Sequence, residues 1–93
     1  PAVIRDISIL VDSNTRISEV LSEIEGADNL RIVQDVDIFD IFDNDSSLSE
    51  GKKSVAFHLI LRSDDHTLTD KEIKQTEKSI TKTLKENLGA EVR

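Results

Sequence analysis

The sequence predicts an α+β sandwich in which helices cover one face of an antiparallel sheet. Three observations carry this. Residues 52–62 alternate strictly, with Val55, Phe57, Leu59 and Leu61 on one side and Ser54, Ala56, His58, Ile60 and Arg62 on the other. A period of two over that length marks a strand with one face in a core. Two stretches carry helical apolar stripes, Ile17-Val20-Leu21-Ile24 and Ile73-Ile80-Leu84-Leu88. The elements run strand, helix, strand, strand, helix, strand, which is the order of a ferredoxin-like split βαβ sandwich (βαββαβ). A four-stranded antiparallel sheet of order 4-1-3-2 is expected, with the two helices on one face and each strand–helix–strand crossover right-handed.

Residues 3–11 form the first strand, with Val3, Arg5, Ile7, Ile9 and Val11 on one face and Ile4, Asp6, Ser8 and Leu10 on the other. Asp12-Ser13-Asn14 is a turn cluster. Thr15 or Ser18 caps the first helix and Gly26 ends it. Residues 30–43 form the second strand. Val36 and Ile38 share one parity, Phe39 and Ile41 the other. The slip predicts a bulge near Ile38 and Phe39, after which Phe39 and Ile41 point inward and Asp40 and Phe42 outward. A polar loop covers residues 44–51, and the third strand is the alternating stretch already described. Thr69-Asp70-Lys71-Glu72 is a capping box, and Leu68 and Ile73 occupy the positions of its hydrophobic staple. Gly89 stops the second helix, and residues 90–93 make a short last strand.

The chain has 93 residues, enough for one domain over positions 1–93. It starts at Pro1 and runs almost at once into a strand, which reads as a fragment of a longer protein. There is no cysteine, which rules out a disulfide framework and thiolate metal sites. No apolar run reaches membrane-spanning length, and no signal-peptide pattern is present, so no membrane role is expected. Taken alone, the net charge of −7 argues against nucleic acid, because phosphate contacts need Lys and Arg. In a part of a larger assembly, local charge matters more than the sum.

The sheet face without helices is expected to carry Ile4, Ser8, Leu10, Phe42, Ala56, His58 and Ile60. A solvated face would be charged and polar; small apolar and aromatic residues there mark a partner surface. The bland alternative is a few stray exposed apolars or a misplaced register. The chain has three aromatics, all Phe, and only Phe42 falls on outward parity. Such a ring can stack a nucleobase, or it can fold over the sheet rim onto Leu48. Lys52 and Lys53 lie beside this face and are candidate phosphate contacts. Lys71, Lys74, Lys78, Lys82 and Lys85 form a basic stripe on the second helix, which reads first as a solvated face. His58 and His66 lack an acidic or thiol cluster at ligand spacing, so no metal is expected. The run of aspartates from Asp35 to Asp45 lacks calcium-loop spacing. Gly51-Lys52-Lys53-Ser54 lacks the spacing of a phosphate loop and precedes a strand. No nucleophile–base–orienter set is present.

Four ordered blocks carry a resemblance. Arg5-Asp6-Ile7-Ser8-Ile9-Leu10-Val11, Ile38-Phe39-Asp40-Ile41-Phe42, Glu50-Gly51-Lys52-Lys53-Ser54-Val55-Ala56-Phe57 and Thr67-Leu68-Thr69-Asp70-Lys71-Glu72-Ile73 resemble, in order and spacing, the ferredoxin-fold anticodon-binding domain. This domain closes the β subunit of bacterial phenylalanine–tRNA ligase. The resemblance covers essentially the whole chain. It implies a cytoplasmic tRNA-binding module whose base contacts are Ser8, Asp40, Phe42 and Ser54, with His58, Lys52 and Lys53 beside them. It further implies tRNA(Phe), the parent enzyme's other domains and its α subunit as partners. Aminoacylation, with its ATP and magnesium, would lie in the α subunit, and no cofactor is expected in this chain. The family often has Tyr where this chain has Phe42, which keeps the stack and loses a phenol hydrogen bond.

Other classes fit less well. A small-molecule regulatory domain of the same fold would need a glycine-rich first loop, and residues 12–18 contain no glycine. A small phosphatase would need Arg and Gly together in that loop, and Arg16 stands there without the glycines. An RRM would need paired aromatics on the third strand.

Overall fold

The structure, a computed structural model, describes residues 1–42 and 51–93. The predicted end of the second strand at Asp43, most of the loop after it, and Leu48 lie outside the described residues. The elements are β1 (Val3–Asp12), α1 (Ile17–Ala27), β2 (Val33–Phe42), β3 (Lys52–Leu61), α2 (Asp70–Leu88) and β4 (Glu91–Val92). They form a four-stranded sheet of order β2-β3-β1-β4, antiparallel at every step. This is the expected order read from the other edge.

The alternation of β3 fixes which side of the sheet is the core. Val55, Phe57, Leu59 and Leu61 are all fully buried. Across β1, Ile7 stands opposite Phe57 and Ile9 opposite Val55, so they share that side. Val20 and Ile24 of α1 and Ile73, Ile80 and Leu84 of α2 complete one cluster with them. Leu21, expected in the α1 stripe, is 37% exposed, and Ala27 is buried instead.

Helix ends follow local chemistry. At α2 the capping box forms as expected: the Glu72 N–H donates to Thr69 Oγ1 at 3.2 Å, and the Thr69 N–H donates to Glu72 Oε1 at 2.9 Å. Gly89 takes the left-handed conformation, φ 64°, that closes the helix at low steric cost. At α1 the expected caps are corrected. Arg16, not Thr15 or Ser18, is the N-cap, and its N–H donates to Glu19 Oε1 at 3.2 Å. The reach-back carboxylate stabilises the turn without a capping hydroxyl. Nor does Gly26 end the helix, which runs on to Ala27. The chain turns instead on Asp28, whose carboxylate accepts from the N–H groups of Ile32 and Val33, both at 3.0 Å. Arg31 sits within that turn at φ 54°, so β2 begins at Val33 and not at residue 30.

One polar atom is out of place among the described core residues. Thr76 is 3% exposed, and its hydroxyl oxygen has no hydrogen-bond partner among the described residues. Burying an unpaired hydroxyl costs about 1–3 kcal/mol on mutational scales. Thr76→Val keeps the side-chain shape and removes that cost. We expect stabilisation of about 1 kcal/mol, read as a rise of about 4–8 °C in Tm for a domain of this size. A melt at or below the parent's would mean that the hydroxyl is satisfied in solution.

Candidate nucleic-acid interface

The side of the sheet opposite the helices is built by register. Phe42 of β2 stands opposite Ser54 of β3, and Ser54 stands opposite Leu10 of β1. One step along, Asp40 faces Ala56, which faces Ser8. The hydroxyl oxygens of Ser8 and Ser54 lie 3.5 Å apart across the strands. Cross-strand neighbours on one face lie about 5 Å apart, so these six residues make one continuous patch. Its floor consists of small side chains: Ser54 is buried, Ala56 and Ser8 half-buried. Phe42 rises from its edge, 51% exposed, and Asp40 brings a carboxylate beside the ring. A flat group can therefore approach the floor closely, stack on the ring and donate hydrogen bonds to the acid.

The expected placements of Phe39 and Lys53 are corrected. Phe39 does not enter the core. The register steps from Ile38↔Phe57 to Asp40↔Ala56, so Phe39 is the extra residue of the bulge. It is 51% exposed, and its ring stacks on His58 with centroids 4.1 Å apart. Ile41 does stand on the helix side, opposite Val55, but at 46% exposure the edge strand leaves it uncovered. A second register shift, at Gln34, had no signal in the alternation. Lys53 stands opposite Val11, on the helix-side parity, and so is not part of the open face. Lys52 is on the open face and is engaged, its Nζ 2.6 Å from Asp12 Oδ1.

The open face is also more acidic than expected. By register Asp6, Asp12, Asp35, Asp37, Asp40 and Glu91 share it with Lys52 and His58. The parity of Asp6 and Asp40 was legible, and that of Asp35 and Asp37 follows from their alternation with Val36 and Ile38; Asp12 and Glu91 join the face only through strand pairing. A face of this sign repels phosphate and accepts hydrogen bonds. It suits base edges that carry N–H donors.

The remaining candidates lie elsewhere. Lys78, Lys82 and Lys85 line an open groove of about 790 Å³ between α2 and β4, with Gly89 to Val92 as its other wall. His66 sits at the start of α2, its Nδ1 2.5 Å from Asp65 and its Nε2 2.8 Å from Glu72. The hydrogen bond to Asp65, then that to Glu72, raises its pKa above the ordinary value. Glu72 is held below the carboxylate range, first by the Thr69 N–H and then by His66. His66 thus ties the β3–α2 connection to the helix cap. Among the described residues no three His, Asp or Glu gather as metal ligands would, and no helix is long and apolar enough to cross a membrane.

The architecture and the ringed patch on the bare side of its sheet define an α+β ferredoxin-like domain with a candidate base-binding face. The chain belongs to the ferredoxin-fold anticodon binding domain family, which it matches over residues 1–93. It is 40% identical over 93 residues to the phenylalanine–tRNA ligase β subunit of Clostridium tetani, covering all of this chain and 12% of that protein. It is 41% identical to the corresponding β subunit of Syntrophotalea carbinolica, covering all of this chain and 11% of that protein. A third β subunit, from Corynebacterium efficiens, is 40% identical over 94 residues. The chain thus spans about one-eighth or less of the length of these relatives.

Proposed function

We propose that this domain is the anticodon-reading module of a phenylalanine–tRNA ligase β subunit. It holds tRNA(Phe) by its anticodon loop while aminoacylation proceeds elsewhere in the enzyme. The observation that carries this reading is the single patch formed by Ser8, Asp40, Phe42 and Ser54 on the open sheet face. The Phe42 ring stacks an unpaired base, Asp40 accepts from its amino or imino groups, and Ser8 and Ser54 let it approach. Loops are where RNA sequence is read, because their bases are splayed and free. The module contributes no group to bond making. ATP and magnesium belong to the catalytic part of the assembly, and the α subunit and other β-subunit domains are its protein partners.

The acidity of the face sets the test. Binding through bases neutralises few phosphates, and the slope of log K against log salt is about −0.7 per phosphate for a single strand. Titration of the 93-residue chain with a tRNA(Phe) anticodon stem-loop is expected to be weak, with a slope shallower than about −1. Amide shifts are expected at Ser8, Asp40, Phe42, Ser54 and His58. A slope steeper than about −2, with shifts along Lys71 to Lys85, would move the site to α2.

A further inference from the structure

The β2 bulge does more than expose a phenyl ring. Phe39 and His58 stack with their planes 17° from parallel. His58 Nδ1 is hydrogen-bonded to the Asp6 carboxylate on β1, and Asp37 stands opposite His58 on β2. Three strands therefore hold the ring pair at the sheet surface, while half of Phe39 remains open to solvent. A lone exposed apolar residue needs no explanation. A ring whose plane is already set by a partner, itself fixed by a carboxylate, is different. It has given up its rotational freedom before any ligand arrives, and preorganisation of this kind strengthens binding.

The pair is also well placed. Phe39 lies three residues along β2 from Phe42, about 10 Å at ~3.3 Å per residue. That is too far for one base to cover both rings, and near enough for neighbouring nucleotides of one loop. We propose that the Phe39–His58 stack is a second nucleobase platform, which takes a base bearing an exocyclic amino group from the nucleotides adjoining the one on Phe42. The proposal rests on the anticodon-loop reading above. The amino preference follows from the flanking side chains. Asp37 and Asp40 share the open face before and after Phe39 on β2, and as carboxylates they only accept. Adenine and cytosine present amino donors to such acceptors. Uracil presents carbonyls on both sides of its single N–H and meets like charge.

The test uses the 93-residue chain and anticodon stem-loops carrying 2-aminopurine, an abasic site or uridine at each loop position in turn. Phe39→Leu is expected to raise Kd about five- to 150-fold, the range for losing one stacked base, and Phe39→Tyr to bind like the parent. An abasic site at one loop position is expected to erase the difference between parent and Phe39→Leu, while leaving the effect of Phe42→Ala intact. Uridine at that position is expected to bind more weakly than adenosine. If Phe39→Leu binds like the parent while Phe42→Ala loses affinity, the second platform is overturned and the anticodon reading stands. If neither variant loses affinity, the anticodon reading falls and takes the platform with it. A loss from Phe39→Leu of equal size with every abasic RNA also overturns the platform, since Phe39 then acts by shaping β2. Should Phe39→Leu fail to fold, the parent protein decides. Quenching of 2-aminopurine at only one loop position would exclude a second stack.

Discussion

Phe57→Ala is expected to cost about 3–5 kcal/mol of folding free energy, the range for deleting a buried phenyl ring. Phe57 is fully buried at the middle of β3, with Ile7 opposite on one side and Ile38 on the other. Both neighbours belong to strands of the same sheet, so neither can close over the vacated space without shifting the ladder. A domain of this length has a total stability of about 5–14 kcal/mol, at ~0.05–0.15 kcal/mol per residue. The variant is therefore expected to be marginal at 25 °C, with a urea midpoint far below the parent's and an unchanged m-value. Phe39→Ala serves as the control. Its ring is half exposed, and its loss is expected to move the midpoint far less. Similar costs for the two would overturn the assignment of Phe57 to the core side and Phe39 to the open side.

The contrast between these two rings shows where the sequence is legible and where it stops. β3 is a central strand, and nothing interrupts its alternation, so period two alone placed Ser54 to Leu61 on the correct sides. The cap of α2 was equally plain, because Thr69 and Glu72 satisfy one another through bonds three residues apart. β2 is an edge strand with two bulges. Alternation on each side of the slip at Phe39 assigned Ile38, Asp40 and Phe42, but it left the extra residue undetermined. Hydrophobicity then suggested an inward Phe39, against the register. Asp28 and Arg31 were missed for a related reason. A carboxylate closing a turn onto two N–H groups depends on a left-handed residue, and arginine does not announce that conformation as glycine does. Thr76 lies on the buried side of α2 between Ile73 and Ile80, and a polar residue there gives no apolar signal in the sequence. Of the candidate site, the placements of Ser8, Asp40, Phe42, Ser54 and His58 were readable from parity. The acid around them was readable only in part, and the ring pair not at all, because it exists only across two strands.

Phe42→Ala is expected to separate the two halves of the proposed ligase activity. In the enzyme that carries this domain, the substitution is expected to lower kcat/KM for tRNA(Phe) about five- to 150-fold, the ~1–3 kcal/mol carried by one base–aromatic stack. Amino-acid activation, measured by ATP–pyrophosphate exchange without tRNA, is expected to stay at the parent's rate. The physical ground is that Phe42 stands at the end of an edge strand, half exposed and opposite Ser54. Its removal uncovers little core and leaves the helix-side cluster intact. Most of the loss belongs in KM, because an anticodon contact made equally in ground and transition states supplies uniform binding. Phe42→Tyr keeps the stacking surface and adds a hydroxyl, and is expected to match or exceed the parent. If activation and charging fall together in Phe42→Ala, the ring is part of the fold. The base-reading role would then have to move to the stacked pair at the bulge or leave the sheet face altogether.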